Sequence, residues 1–516
     1  MGPMLLEALT GVLNPVSLLF VVVGVSAGII VGALPGLTAT MAIALLVPFT
    51  FTMQPVFGLV LLGAIYSGAI YGGSFSAILI NTPGTPSAIA TTFDGYPMAQ
   101  KGEAYRAITT ATLASVIGGL IGVAFLIFLS PPLARASLKF GPPEYFWLAV
   151  FGLTIIAAVS PRSMIKGLVG GGIGLLISTI GIAPIQGAVR FNFGTLALQN
   201  GISLIPALIG FFCIPEVLRM AESSSTSSDA VVPYKRQRKM VTRVFHALIR
   251  KPWLLLRSAI LGTIVGIIPG AGGNIAGLVG YNEAMRASKN KEKFGTGIMD
   301  GVAASESANN AEVAGSLIPM LTLGVPGAPP AAVLFGALLL QGMRPGAELF
   351  TYHGATTYAF LFSLILANLA ILPLGIILGR AVAALMQRTK VQTMAPLIIF
   401  LSMIGAYSIY NNVADIYTMV VVGLLAHALR KAGFFPGPIV LGLILGPFAE
   451  QGLLQSILMG RAGGSIFQVF FTRPISLILI ILTIISVVTP IVVHYRTKRG
   501  KHSRIVDSVT RQEASE

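Results

Sequence analysis

"YGGSFSAILINTPGTPSA", residues 71–88, ends a long apolar stretch on a tip that no helix tolerates. No charged residue lies between Glu7 and Asp94, so the stretch reads as membrane-embedded. Pro83 and Pro86, with Gly84 between them, interrupt any helix there. Broken backbone at membrane depth is tolerated only where protein or a water-filled cavity surrounds it. The same device recurs as "AGSLIPMLTLGVPGAPPA" (314–331). There Gly315, Pro326, Gly327, Pro329 and Ala331 fall without a gap on Gly72, Pro83, Gly84, Pro86 and Ala88. A second pair recurs in the same order. "AGIIVGALPGLTATMA" (27–42) is matched by "LGTIVGIIPGAGGNIAG" (261–277), with Gly32, Pro35 and Gly36 on Gly266, Pro269 and Gly270. Both separations are roughly 235–245 residues, far beyond solenoid periods, and read as an internal duplication.

The surrounding composition fits a membrane. The chain has 516 residues, of which 10% are charged, and a mean hydropathy of +0.84. A soluble chain would carry about a quarter charged residues. About twelve hydrophobic segments follow one another, some too short or too Gly-rich to be clean spans. Ordinary spans are expected at roughly 107–129, 145–160, 163–182, 200–218, 356–386, 395–409, 413–429, 436–458 and 475–494. The net charge of +16 does not point to nucleic acid. Its basic residues cluster in 234–253, 286–293 and 496–511, beside apolar spans, as in cytoplasmic loops that touch anionic headgroups. Cys213 is alone, which excludes an internal disulfide. No basic n-region precedes the first apolar segment, which is expected to be retained.

These features predict an all-α polytopic membrane protein with a first transmembrane repeat over 1–220 and a cytoplasmic basic linker over 221–251. A second repeat over 252–495 and a basic tail over 496–516 complete it. No Lys or Arg occurs before Lys101, so the first repeat starts outside, whereas the second follows a basic linker and starts inside. That arrangement is an inverted repeat, common in secondary transporters. The roughly 30 residues between the two basic stretches of the second half are too few for two full spans. "IIPGAGGN" is therefore read as the tip of a re-entrant hairpin, and "ALPGLTAT" as its counterpart entering from the other side. "LVGGGIG" (168–174) lacks the Gly-Lys-Ser/Thr ending of a phosphate loop and reads as a helix-packing surface.

Two constellations carry chemistry. A break exposes main-chain N–H groups at the start of the next helix half, where the helix dipole adds positive character. Such tips suit a carboxylate. The expected substrate-binding residues are Asn81, Thr82, Pro83, Gly84 and Thr85, with Gly324, Pro326 and Gly327 of the partner break. The hairpin tips add Pro35, Gly36, Thr38 and Thr40, and Gly270, Gly272, Gly273 and Asn274. The bland alternative for each is a kink satisfied by neighbouring helices. The second constellation is "SESANNAEVAG" (305–315). Ser305, Glu306, Asn309 and Asn310 lie within little more than one turn, and an ionisable group at membrane depth is a functional candidate. These oxygens suit Na+, or the carboxyl a proton; the alternative is a capped aqueous helix start. No catalytic triad, metal-ligand spacing or ATP-binding loop occurs, so no enzyme and no bound cofactor is expected. Energy would come from an ion gradient or from a partner.

At these motifs the sequence resembles the large membrane subunit of the tripartite tricarboxylate transporters, the TctA family. The resemblance rests on "GALPGLTATMAIALLVP" (32–48), "YGGSFSAILINTPGTPSAIATTFDGYPMAQKG" (71–102), "GIIPGAGGNIAGLVGYNEA" (266–284) and "ESANNAEVAGSLIPMLTLGVPGAPPAAVLFGALLLQGMRPG" (306–346). It implies Na+- or H+-driven uptake of citrate or another organic acid across a bacterial inner membrane. It implies two partners as well, a small membrane subunit and a periplasmic solute-binding protein. The paired tips further predict an elevator-like displacement against a scaffold that contacts a second copy, as a homodimer, or the small subunit. An ion channel, or a carrier of another small anion without a binding protein, is the competing expectation.

Overall fold

Hydrophobic length and proline placement decide where each helix starts and stops. In the computed structural model, residues 2–158, 163–222, 232–234, 237, 239–270, 272–389, 391–489 and 492 are described. Most of the polar linker (223–231) and the tail from 493 lie outside them. The first half begins with α1 (Gly2–Leu13), α2 (Pro15–Ala33), α3 (Ala39–Thr50) and α4 (Pro55–Ile80). A 3-10 turn over Pro86–Ala88, α5 (Ile89–Met98) and a π-helical turn over Ala99–Glu103 lead into α6 (Ala104–Ser137). There follow α7 (Pro142–Ala158), α8 (Met164–Ser178), the two-residue strands β1 (Gly181–Ile182) and β2 (Val189–Arg190), and α9 (Leu204–Glu222). The second half holds α10 (Met240–Ile249), α11 (Pro252–Ile267), α12 (Gly272–Ala287), α13 (Met299–Leu323), α14 (Pro329–Leu340) and α15 (Ala347–Thr351). It continues with α16 (Gly354–Arg388), α17 (Val391–Ser408), α18 (Val413–Lys431), α19 (Pro436–Ala462), α20 (Ile466–Phe471) and α21 (Pro474–Thr489).

Among the described residues seven helical stretches are long and apolar enough to cross a membrane, so this is an all-α, multi-pass membrane protein. The expected span over 163–182 stops early, because α8 ends at Ser178 and Gly181 takes φ 108°. The chain then makes a short antiparallel hairpin with Gly181 opposite Arg190. Beside the Pro-Gly tips α2, with 19 residues, is one of these seven, whereas α3 has 12 residues and α11 and α12 have 16 each. At 1.5 Å per residue α3, α11 and α12 reach about 18–24 Å, less than a hydrocarbon core of about 30 Å.

The duplication is visible contact by contact. Gly28 lies against Ile65 and Gly32 against Ala69, where α2 crosses α4. Gly262 lies against Ala308 and Gly266 against Glu312, where α11 crosses α13. Gly72 meets Ile29 as Gly315 meets Thr263. Each pair keeps one constant offset in each helix, so both halves use the same glycines for the same close approach. A Cβ at any of them would collide with the facing backbone, and small residues are what let membrane helices approach this closely. The four tips match as well. Gly36 (φ 90°) and Gly270 (φ 76°) turn the hairpins, and Asn81 (φ 52°) and Gly324 (φ 73°) end α4 and α13 in the left-handed region.

Contacts divide the chain into two compact units, each drawing on both halves of the sequence. The first comprises Met1–Lys139 and Phe191–Ala432. In it α13 lies against α4, α6, α11 and α12, and α9 packs on α17 and α18. The second comprises Phe140–Arg190 and Gly433–Glu516, and there α19 packs on α7 and α8. Its glycines behave as the sequence predicts: Gly174 lies against Ile439, and Gly442 against Gly171.

Candidate functional site

Each broken helix is locked to the hairpin of its own half. The position a Cβ of Gly84 would take is filled by the Gly32 carbonyl and the Ser76 hydroxyl. Gly327 lies against the Gly266 carbonyl and Ser316 in the same way. Packing thus requires both glycines, independently of any ligand. Cross-contacts join the halves: Gly277 of α12 abuts Ser87 in the turn after the first break. The Tyr66 hydroxyl of α4 meets the Ser316 hydroxyl of α13 at 2.9 Å. Gly273 sits beside Ala328, so the second hairpin reaches the second break.

Several main-chain donors at the tips are already engaged. The Gly327 N–H donates to Ser316 O (3.1 Å), Gly270 N–H to Gly327 O (2.8 Å), and Thr82 N–H to Ser76 O (3.3 Å). Pro329 and Pro330 open α14 without any N–H. The N–H groups of Gly84, Thr85, Ala39 and Thr40 donate in none of the main-chain bonds of loops and caps, although the Thr85 carbonyl accepts the Ala88 N–H at 3.0 Å. Thr38 caps α3 by accepting from Met41 N–H at 3.2 Å. Asn81 and Thr82 are exposed, whereas Thr85 is buried and its hydroxyl meets that of Ser87 at 3.0 Å. The side chain of Asn274 and the surroundings of Gly272 lie outside the described residues.

The polar cluster of α13 is fully buried. Glu306 accepts from the Thr91 hydroxyl of α5 and from the Ser115 hydroxyl of α6 at 3.0 Å. Asn310 donates to Ser115 Oγ at 2.7 Å, and the hydroxyls of Thr91 and Ser305 lie 3.1 Å apart. Ser305, Glu306 and Asn310 thus converge. Asn309 lies beside the Glu306 carboxylate, but neither of its polar atoms reaches hydrogen-bond geometry. Thr91 follows the first break and α13 precedes the second, so this cluster ties the two breaks together. Among the described residues no three His, Cys, Asp or Glu side chains gather as a metal site.

Sequence reading missed three participants. Thr91 and Ser115 are inconspicuous among many membrane hydroxyls. Asp94 had a visible signal, a lone acid in an apolar run. It is fully buried and accepts from Gly297 N–H (2.7 Å), Ile298 N–H (2.9 Å) and the Tyr281 hydroxyl (3.0 Å). It therefore caps α13, whose own N-cap residue Ile298 offers no side chain for the purpose.

Known proteins share this pattern. Residues 18–441 match the Tripartite tricarboxylate transporter TctA family. A relative from Agrobacterium vitis, described as an uncharacterized 52.8 kDa protein in the TAR-I ttuC' 3'region, is 38% identical over 491 residues. That alignment covers 95% of this chain and 96% of the relative. A second A. vitis protein, uncharacterized and in the TAR-II ttuC' 3'region, is 36% identical over 241 residues, 46% of this chain and 98% of its own length. No solved structure matches the chain. The match spans both hairpins and both breaks, and the chain belongs to the tripartite tricarboxylate transporter TctA family.

Proposed function

We propose that this chain is the large membrane subunit of a secondary uptake system for tricarboxylates or related organic acid anions in a bacterial inner membrane. One observation carries the reading: two broken helices and two short hairpins, built on the same glycine contacts, bring their tips together around a buried polar cluster. The substrate's carboxylates bind at the four tips through main-chain N–H groups at helix starts, with Thr82 as a side-chain donor. A polycarboxylate that sheds water needs several donors in return. The coupling ion, Na+ or H+, is taken by the polar face of α13 that includes Ser305, Glu306, Asn309 and Asn310.

Membership of a tripartite family supports two partners, a small membrane subunit and a periplasmic solute-binding protein that delivers the anion. The absence of Lys and Arg before Lys101, against their density after 233, supports an N-terminus outside and a linker inside. The halves are then inverted, and the tip-bearing bundle moves elevator-like against a scaffold. Proteoliposomes holding this chain and the small subunit, given the binding protein and labelled citrate, test the proposal. Concentrative uptake that needs all three proteins and collapses with an ionophore is expected. Passive, ionophore-insensitive flux would mark a channel, and uptake without the binding protein an independent carrier.

A further inference from the structure

Residues 305, 309, 312 and 316 of α13 recur at helical spacing and share one face. The ends of this stripe are engaged, Ser305 with Thr91 and Ser316 with Tyr66. Its middle is not. Asn309 and Glu312 are 0% exposed, yet both polar atoms of Asn309 and both carboxylate oxygens of Glu312 have no hydrogen-bond partner. Among the described residues no ion pair reaches Glu312. A buried carboxylate without donors or counter-charge is strongly unfavourable.

The fold does not ask for these side chains. The repeat offers a control inside the same molecule, because the equivalent positions on α4 are Tyr66 and Ala69. Gly32 packs on Ala69 as Gly266 packs on Glu312. An alanine therefore suffices for that helix crossing. The carboxylate of Glu312 and the amide of Asn309 are additions to the shared scaffold, left unsatisfied.

We infer that Asn309 and Glu312 hold a monovalent hard cation of the sodium class, Glu312 supplying the charge and Asn309 Oδ1 a neutral oxygen. This rests on the transport reading and names the carboxylate that takes its coupling ion. Glu306 is the less suitable ligand, because hydroxyls of α5 and α6 already occupy its oxygens. A single carboxylate with amide oxygen matches one positive charge, whereas divalent ions draw on more carboxylates and a fuller oxygen shell. Among the described residues no three His, Cys, Asp or Glu side chains gather to favour a transition metal. The cation also has a lever. The same face ends at Ser316, whose carbonyl accepts the Gly327 N–H, so an ion in its middle fixes the helix that carries the second tip.

Equilibrium binding of radiolabelled sodium to the full-length chain in lipid nanodiscs, with choline holding ionic strength constant, tests the inference. Wild type should bind sodium saturably. Glu312→Gln and Asn309→Ala should each weaken binding by about ten- to a hundredfold. If Glu312→Gln fails to insert, Glu312→Ala takes its place, since alanine serves the equivalent crossing. No saturable sodium binding in wild type, or wild-type binding in the Glu312 variant, overturns the proposal. Binding is read without transport: intact sodium binding alongside absent uptake in the reconstituted system would sink the transport reading and leave this site standing.

Discussion

Gly84 shows how far a residue is legible before the fold is known. Its place in a helix break is evident from two flanking prolines, and the freedom it gives a ligand is reason enough for a glycine. The contact with the Gly32 carbonyl adds a second reason that no local pattern discloses, because its partner lies on another helix. Gly84→Val is accordingly predicted to act on folding first. Overpacking there should lower stability by about 1–3 kcal/mol, read as a lower melting temperature and poorer yield of purified protein. Normal melting with lost substrate binding would show instead that the glycine serves only the ligand. Thr82 is the cleaner probe of binding, being exposed, with its hydroxyl donating to the neighbouring Ile80 carbonyl at 3.2 Å. Thr82→Ala should raise the apparent KM about fivefold, roughly 1 kcal/mol for one hydrogen bond, with unchanged melting. An unaltered KM would remove this hydroxyl from the site. Thr85→Ala mixes the two effects, since Thr85 is buried and paired with Ser87.

Among the elements, breaks and hairpins were readable because proline and glycine act locally and because each motif occurs twice. The capping of α13 was not, since the acid that performs it sits about two hundred residues earlier, on α5. Asp94→Ala would leave two N–H groups and the Tyr281 hydroxyl without their acceptor, at a cost of about 1–3 kcal/mol per group. Hydrogen exchange should then speed up at Gly297 and Ile298 and along the first turn of α13. Asp94→Asn retains one acceptor oxygen and should restore part of the protection. Wild-type exchange in Asp94→Ala would mean that the cap does not hold the helix. The consequence for transport is directional: α5 follows one break and α13 precedes the other, so loosening this cap uncouples them and should depress turnover more than substrate affinity.

For the whole molecule, composition was enough to indicate many spans and the recurring Pro-Gly motifs a duplicated chain, while the partition into compact units was hidden. Hydropathy reports which segments enter a membrane and nothing about which of them pack together. The inverted arrangement predicts that a reporter fused before Gly2 reads outside, and that one fused after the tail reads cytoplasmic. Two cytoplasmic readings would falsify it. A further consequence follows from α9 packing on α17 and α18 while α19 packs on α7 and α8. Each half finishes a bundle that the other half began. During synthesis α8 emerges long before Pro436 starts the helix that covers it. At about 5–20 residues per second that interval lasts roughly ten to fifty seconds. Throughout it the glycine-lined faces of α7 and α8 have only lipid or the insertion machinery beside them. Biogenesis, rather than stability of the finished protein, is then the stage at which this chain is most vulnerable, and an interrupted ribosome would leave behind a membrane fragment without its covering helix.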